Sequence, residues 1–152
     1  MTVRIIAVGK KHESWVETGI DRYSKRLKRP FVAEWVLLPH CARQDAEARR
    51  DESGRISARL NANDYVVLLD ERGQAIDSPA LSRLLLVPLE SARSVTIVIG
   101  GAYGVDDSIF SRADFVWSLS PLVFPHQLVR LILTEQLYRA QEIAGGNPYH
   151  HQ

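Results

Sequence analysis

The residues able to do chemistry concentrate in the second half of the 152-residue chain. Gly100-Gly101-Ala102-Tyr103-Gly104 places three glycines within five positions. A Gly-Gly pair lets a ligand approach the main chain closely, and it equally serves a tight turn with no ligand. Trp117-Ser118-Leu119-Ser120-Pro121-Leu122-Val123-Phe124-Pro125-His126 is apolar but broken by two prolines. A loop of this composition belongs in the interior, where its backbone groups need partners: neighbouring protein, or a ligand with polar edges such as an adenine. Glu135 and Arg139 stand four apart, the spacing of a pair on one helix face, first of all a structural salt bridge.

The chain closes with Asn147-Pro148-Tyr149-His150-His151-Gln152. Histidine exchanges protons near neutral pH, and tyrosine stacks on a nucleobase. Two histidines are too few for a purification tag, so the tail reads as native sequence. His150 and His151 are adjacent and have no nearby carboxylate, which disfavours a metal site. Cys41 is the only cysteine, so an intrachain disulfide and a four-cysteine zinc site are both impossible. No metal is expected. After the first apolar run the chain reads Gly9-Lys10-Lys11-His12, without the GxGxxG of a dinucleotide fold, and no GxxxxGKS/T phosphate loop occurs.

These residues need a scaffold. Val3–Gly9 reads as a strand, and Glu13–Leu27 carries Trp15, Val16, Ile20, Tyr23 and Leu27 at helical spacing. Phe31–Leu38 is strand-like, and Ala42–Leu60 reads as a polar helix. Asp64–Asp70 is a buried strand with Glu71-Arg72-Gly73 as its turn. Asp77-Ser78-Pro79 starts a helix running to about Ser91. Ser94–Ile99 is a central strand, Asp106-Asp107-Ser108 caps a short helix, and Asp114–Ser118 is a short strand. Pro125 begins a last helix that reaches Ala144 and ends at Gly145-Gly146. The alternation predicts one α/β domain over residues 1–152, with a mostly parallel sheet of five to six strands and helices on both faces. Ligands of such sheets sit beyond the carboxyl ends of the strands. That brings three loops into view: Leu69–Gly73, Gly100–Gly104 and Leu119–His126.

Composition is that of a globular protein, with 45% hydrophobic and 24% charged residues. No apolar run approaches the roughly 18 residues of a membrane span, and the N-terminus lacks a signal-peptide pattern. A soluble cytoplasmic protein with no membrane role is therefore expected. Residues 1–60 hold 13 Lys/Arg against 8 Asp/Glu, and residues 61–152 hold 6 against 10. The densest basic stretch is Arg22, Lys25, Arg26, Lys28 and Arg29. It is either a site for a polyanion or a solvated helix end. The first half of the last helix, with Leu128, Val129, Leu131, Ile132 and Leu133, is apolar nearly all round. That pattern suits burial between the sheet and a second subunit, hence a homodimer.

Taken together, several motifs resemble a known family. They are Ala7-Val8-Gly9-Lys10, Leu69-Asp70, Ile99–Gly104, Trp117–Ser120, Pro125-His126-Gln127-Leu128-Val129-Arg130, Glu135-Gln136-Leu137-Tyr138-Arg139-Ala140 and Pro148-Tyr149-His150. In order and spacing they resemble the bacterial large-subunit ribosomal RNA pseudouridine-N3 methyltransferases, of the SPOUT class of trefoil-knotted enzymes. The resemblance spans residue 3 to the tail. It implies S-adenosylmethionine as cofactor, a C-terminal trefoil knot, a homodimer, and 23S rRNA of the large subunit or ribosome as substrate.

By motif matching, the resemblance assigns cofactor contacts to Leu69, Gly100, Leu119, Ser120, Pro121, Leu122, Val123 and Phe124. It places His150 as the proton-handling or base-positioning residue, with Tyr149 shaping the pocket. Glu135, Arg130 and Arg139 are expected to hold the pocket or the dimer, and the N-terminal basic stretch with Arg49 and Arg50 to face the ribosome. The tail follows Gly145-Gly146 and is expected to fold over the cofactor pocket. One position departs from the family: Pro-Tyr-His is usually followed by Arg or Lys, and here by His151. Two other readings stand beside this one, a knotted methyltransferase acting on tRNA and a non-catalytic ribosome-binding relative.

Overall fold

The computed structural model of the chain describes residues 2–151. Ten elements follow one another: β1 (Val3–Val8), α1 (Ser14–Ser24), β2 (Ala33–Leu38), α2 (Asp45–Ser57), β3 (Tyr65–Ala75), α3 (Ser78–Glu90), β4 (Val95–Ile99), α4 (Asp107–Arg112), β5 (Phe115–Ser118) and α5 (His126–Ala144). The strands form one five-stranded sheet in the order β2-β1-β4-β3-β5, and every pairing is parallel.

Both faces of the sheet are covered, which explains why its central strands read as unbroken apolar runs. Val3, Ile5, Val67, Val95 and Ile97 point to one face and pack with Leu81 and Leu85 of α3 and Leu133 and Leu137 of α5. Ile6, Val8, Val66, Leu68 and Val98 point to the other, against Ile56 of α2 and Ile109 of α4. Leu133 and Leu137 are fully buried, each contributing roughly 1.5–3 kcal/mol of apolar transfer. Gly19 lets α1 close onto α5, because a Cβ there would meet Leu131 Cδ1 at 2.7 Å. Two helix starts use the expected caps: Asp77 accepts from Ala80 N–H, and Asp106 accepts from Ser108 N–H.

One expected turn is absent. β3 continues through Glu71-Arg72-Gly73 to Ala75. It pairs with β5 on both sides of an irregularity, Leu69 with Trp117 and then Gln74 also with Trp117. Gly73 serves strand approach there, since a Cβ would lie 2.5 Å from the Val116 carbonyl oxygen. The strand ends align, with Ala7 and Leu69 both opposite Ile99, and Leu69 opposite Trp117. The Leu69–Arg72 stretch of β3 and the loops leaving β4 and β5 therefore lie together on one edge.

Candidate functional site

At that edge lies a cavity of about 960 Å³, within the usual size of a small-ligand site. Seven of the eight residues expected to contact a cofactor line it: Leu69, Gly100, Leu119, Ser120, Leu122, Val123 and Phe124. Pro121 shares their loop but lies outside the lining. The glycine stretch is both a tight turn and a wall of the cavity. Gly104 N–H donates to the Gly101 carbonyl at 3.0 Å, and Gly104 sits at φ +74°. A Cβ on Gly100 would meet Val105 Cγ1 at 3.0 Å and the Gly104 main chain at 3.3 Å.

The loop after β5 is shaped by two serines. Ser118 Oγ donates to the Ser120 carbonyl at 3.2 Å, and Ser120 Oγ accepts from Leu122 N–H at 3.0 Å. Leu122 and Val123 are left 70% and 81% exposed, an apolar rim suited to one face of a planar ring. Further lining residues lie outside the expected cofactor contacts: Arg49, Arg72 and Asp106, and Asp70, His126 and Val129, which belong to the quoted motifs. Arg49 Nε donates to the Tyr103 carbonyl at 3.0 Å, tying α2 to the glycine turn. Burial opposes ionisation of Asp70, but hydrogen bonds from the Arg72 side chain and backbone outweigh it and hold the carboxyl below its ordinary value.

His126 opens α5, and Arg130 lies one turn further along the same face. A Cβ on Gly9, at φ +138°, would be 3.3 Å from Arg130 Nη2 and 3.9 Å from His126 Cε1. Arg130 is fully buried. Its Nη1 donates to the Lys10 carbonyl at 2.8 Å and faces His12 Nδ1 at 3.1 Å. Arg130 is expected to hold the pocket or the dimer; the hydrogen bonds of its Nη1 lie within its own chain, beneath the β1 end. Burial, reinforced by the Arg130 charge, pushes the His126 imidazole down to about 4 against the pull of the Gly100 carbonyl. The same causes, burial first, lower His12. Both rings are neutral at pH 7. The charged side chains of the lining are Arg49 and Arg72 beside Asp70, Glu71, Asp106 and Asp107.

The tail forms a second cluster. Tyr149 Oη donates to Glu135 Oε2 at 2.8 Å, Arg139 Nη2 pairs with Glu135 Oε2 at 3.0 Å, and Arg139 Nη1 donates to His150 Nδ1 at 3.1 Å. The Tyr149 ring packs edge-on against Tyr138, centroids 4.7 Å apart. Glu135, Arg139, Tyr149 and His150 are thus brought together, but not over the cavity, whose lining includes none of them. Val129 lines the cavity, and Arg139 lies ten residues further along α5, about 15 Å at the helical rise of about 1.5 Å per residue. The tail is expected to fold over the cofactor pocket; within one chain it lies along α5 and does not line that chain's cavity. The physical reason is the Glu135–Arg139 pair, which captures the tail at the far end of α5. Gln152 lies outside the described residues. Among the described residues, no group of three or more His, Cys, Asp or Glu side chains is arranged to hold a metal ion, and no helix is long and apolar enough to cross a membrane.

A family model described as "Predicted SPOUT methyltransferase" matches residues 1–150. The ribosomal RNA large subunit methyltransferase H of Alkalilimnicola ehrlichii is 42% identical over 153 residues, spanning 99% of each chain. The proteins of the same name from Methylobacillus flagellatus and Geobacter metallireducens are 39% and 43% identical over 155 and 153 residues, spanning 100% and 99% of each chain. Among solved structures, a methylase-family protein of Haemophilus influenzae superposes with a TM-score of 0.56 at 10% identity, over 99% of this chain and 70% of that one. One from Neisseria gonorrhoeae gives 0.54 at 11% identity, over 99% and 85%. At such identities the structural likeness speaks for the fold.

Proposed function

The chain belongs to the SPOUT methyltransferase family, and from that premise we propose that it methylates N3 of a pseudouridine in large-subunit 23S rRNA, using S-adenosylmethionine. The work takes place in the cytoplasm, on the large subunit or the assembled ribosome. The observation that carries this reading is the cavity at the ends of β3, β4 and β5, lined by seven of the eight residues that family motifs assign to the cofactor. The names borne by the full-length relatives support the rRNA substrate.

When bound, S-adenosylmethionine supplies a methyl group on a positively charged sulfur. Gly100 opens the β4 wall so that the main chain touches the ligand, and Leu122 and Val123 cover an apolar face and exclude water. His126 is held neutral by burial, and Asp70 and Asp106 would face the positive charge of a bound cofactor from a lining that also holds Arg49 and Arg72. On the acceptor side, N3–H would give up its proton as the N3–carbon bond forms and the methyl–sulfur bond breaks, its electron pair leaving with the now neutral sulfur; His150 is the assigned acceptor or base-positioning group. The tail of one chain is captured about 15 Å along α5 from its own cavity, so this reading assigns each cavity the His150 of the other copy in a homodimer. A C-terminal trefoil knot, as the family resemblance implies, belongs to the same proposal.

Calorimetry tests the cofactor assignment. The wild-type chain is expected to bind S-adenosylmethionine, and absence of heat would leave a non-catalytic ribosome-binding protein in its place.

A further inference from the structure

Five cations fall within eight residues at the end of α1: Arg22, Lys25, Arg26, Lys28 and Arg29. All five are exposed. None belongs to the ion pairs found among the described residues, which use Arg4, Arg43, Arg55, Arg72, Arg93, Arg112 and Arg139. Four of the five, Lys25, Arg26, Lys28 and Arg29, line a cleft of about 710 Å³ between the α1–β2 segment and the last turns of α5. This cleft shares no residue with the cofactor cavity.

The backbone that carries these cations is fixed. Gln141 on α5 uses both ends of its amide on it: Oε1 accepts from Lys28 N–H at 2.6 Å, and Nε2 donates to the Arg26 carbonyl at 3.0 Å. Leu27 and Phe31 are buried on either side. Two carboxylates line the same cleft, Glu90 and Glu142, and Glu142 is already engaged by Asn147 Nδ2 at 2.7 Å. Phe31, Leu86 and Tyr138 also line the cleft, while none of the exposed large hydrophobic residues does. An aromatic series leads from the cleft to the tail: Tyr23 to Tyr138 at 6.0 Å, and Tyr138 to Tyr149 at 4.7 Å.

We propose that this cleft is a phosphodiester-binding surface that holds the backbone of the RNA substrate beside the C-terminal tail. The proposal rests on the reading of the chain as an rRNA methyltransferase and adds to it where the RNA backbone is held. Anchored cations outside any ion pair match the phosphate charge without reading bases, so the cleft sets the position of the RNA and leaves the choice of nucleotide to the cavity and tail.

The test compares two double variants of equal charge change, Lys28→Gln/Arg29→Gln in the cleft and Arg43→Gln/Arg55→Gln on and beside α2. Each is titrated onto purified large ribosomal subunits at several salt concentrations. The cleft double is expected to bind about tenfold more weakly near 0.1 M salt. The slope of log affinity against log salt should drop by about 0.7–0.9 for each phosphate that is no longer neutralised. The α2 double keeps the wild-type slope. S-adenosylmethionine affinity, measured on the same samples, stays within about twofold and reports that the fold is intact, because the cleft and cavity are separate. Lys25→Gln, a single exposed change, weakens binding less but in the same direction and guards against a misfolded double. A wild-type slope in the cleft variants, or an equal weakening in the α2 double, overturns the proposal while leaving the enzyme reading in place. A wild-type chain that binds no large subunit overturns the substrate reading and this proposal with it.

Discussion

The Tyr149 hydroxyl donates to Glu135 Oε2 at 2.8 Å, across fourteen residues of chain. This contact and the Arg139–His150 hydrogen bond fold the tail back on α5. Burial first, and then the Glu135 carboxylate, push the phenol up to about 12. Tyr149 thus remains a donor across the working pH range and holds His150 at a defined place on the surface.

His150→Ala leaves S-adenosylmethionine affinity within about twofold of wild type and lowers methyl transfer to ribosomes at least roughly a hundredfold, the scale of a missing acid–base group. His150 touches Arg139 and does not line the cofactor cavity, so the two readouts separate. Full activity in this variant, measured by transfer of labelled methyl, would remove the residue from the mechanism.

Gly100→Val abolishes cofactor binding with a drop of only a few degrees in melting temperature. The Cβ position is already 3.0 Å from Val105 Cγ1 and 3.3 Å from the Gly104 main chain, so two further methyls displace the turn that walls the cavity. Calorimetry and a thermal melt on the same sample check both halves. Normal binding would show that the β4 loop does not touch the cofactor.

Stability declines as pH falls from about 6.5 to about 4. His126 is lowered from 6.5 to about 4 by burial and the Arg130 charge. In that window the unfolded chain binds a proton that the folded chain refuses, so the folded state loses ground as the proton becomes available. His12 is lowered in the same direction. Melting temperatures between pH 7 and 4.5 are expected to fall less steeply in His126→Gln than in wild type. Equal slopes would clear His126 as a source of the dependence.

Static light scattering at about micromolar concentration yields twice the 17.1 kDa chain mass. Leu128, Val129, Leu131 and Ile132 on α5 stay only partly buried in one chain, and Trp15 on the adjoining α1 is 55% exposed. A mass near 17 kDa would contradict the homodimer and the exchange of tails between copies.

The three cavity segments are legible in the sequence because each follows an apolar run in the parallel sheet, as with Ile99 before Gly100 and Leu69 before Asp70. The extension of β3 is not. Glu71-Arg72-Gly73 has the composition of a turn, and only the close passage of Val116 makes Gly73 a strand residue. Arg130 is legible as part of a motif but not as a buried group, since its partners, the Lys10 carbonyl and His12, lie about 120 residues away in the chain. The place of the tail is hidden for a similar reason. Glu135 and Arg139 read as a local pair, while their capture of Tyr149 and His150 depends on a reversal of direction after Gly146 that no spacing encodes.

The most direct measurement supplies purified chain and S-adenosylmethionine carrying a labelled methyl group to ribosomes isolated from cells lacking this gene. The rRNA is then digested and analysed by mass spectrometry. One labelled methyl on a pseudouridine of the large-subunit rRNA, on N3, is the expected result. Label found only on tRNA, or on no RNA at all, would contradict it.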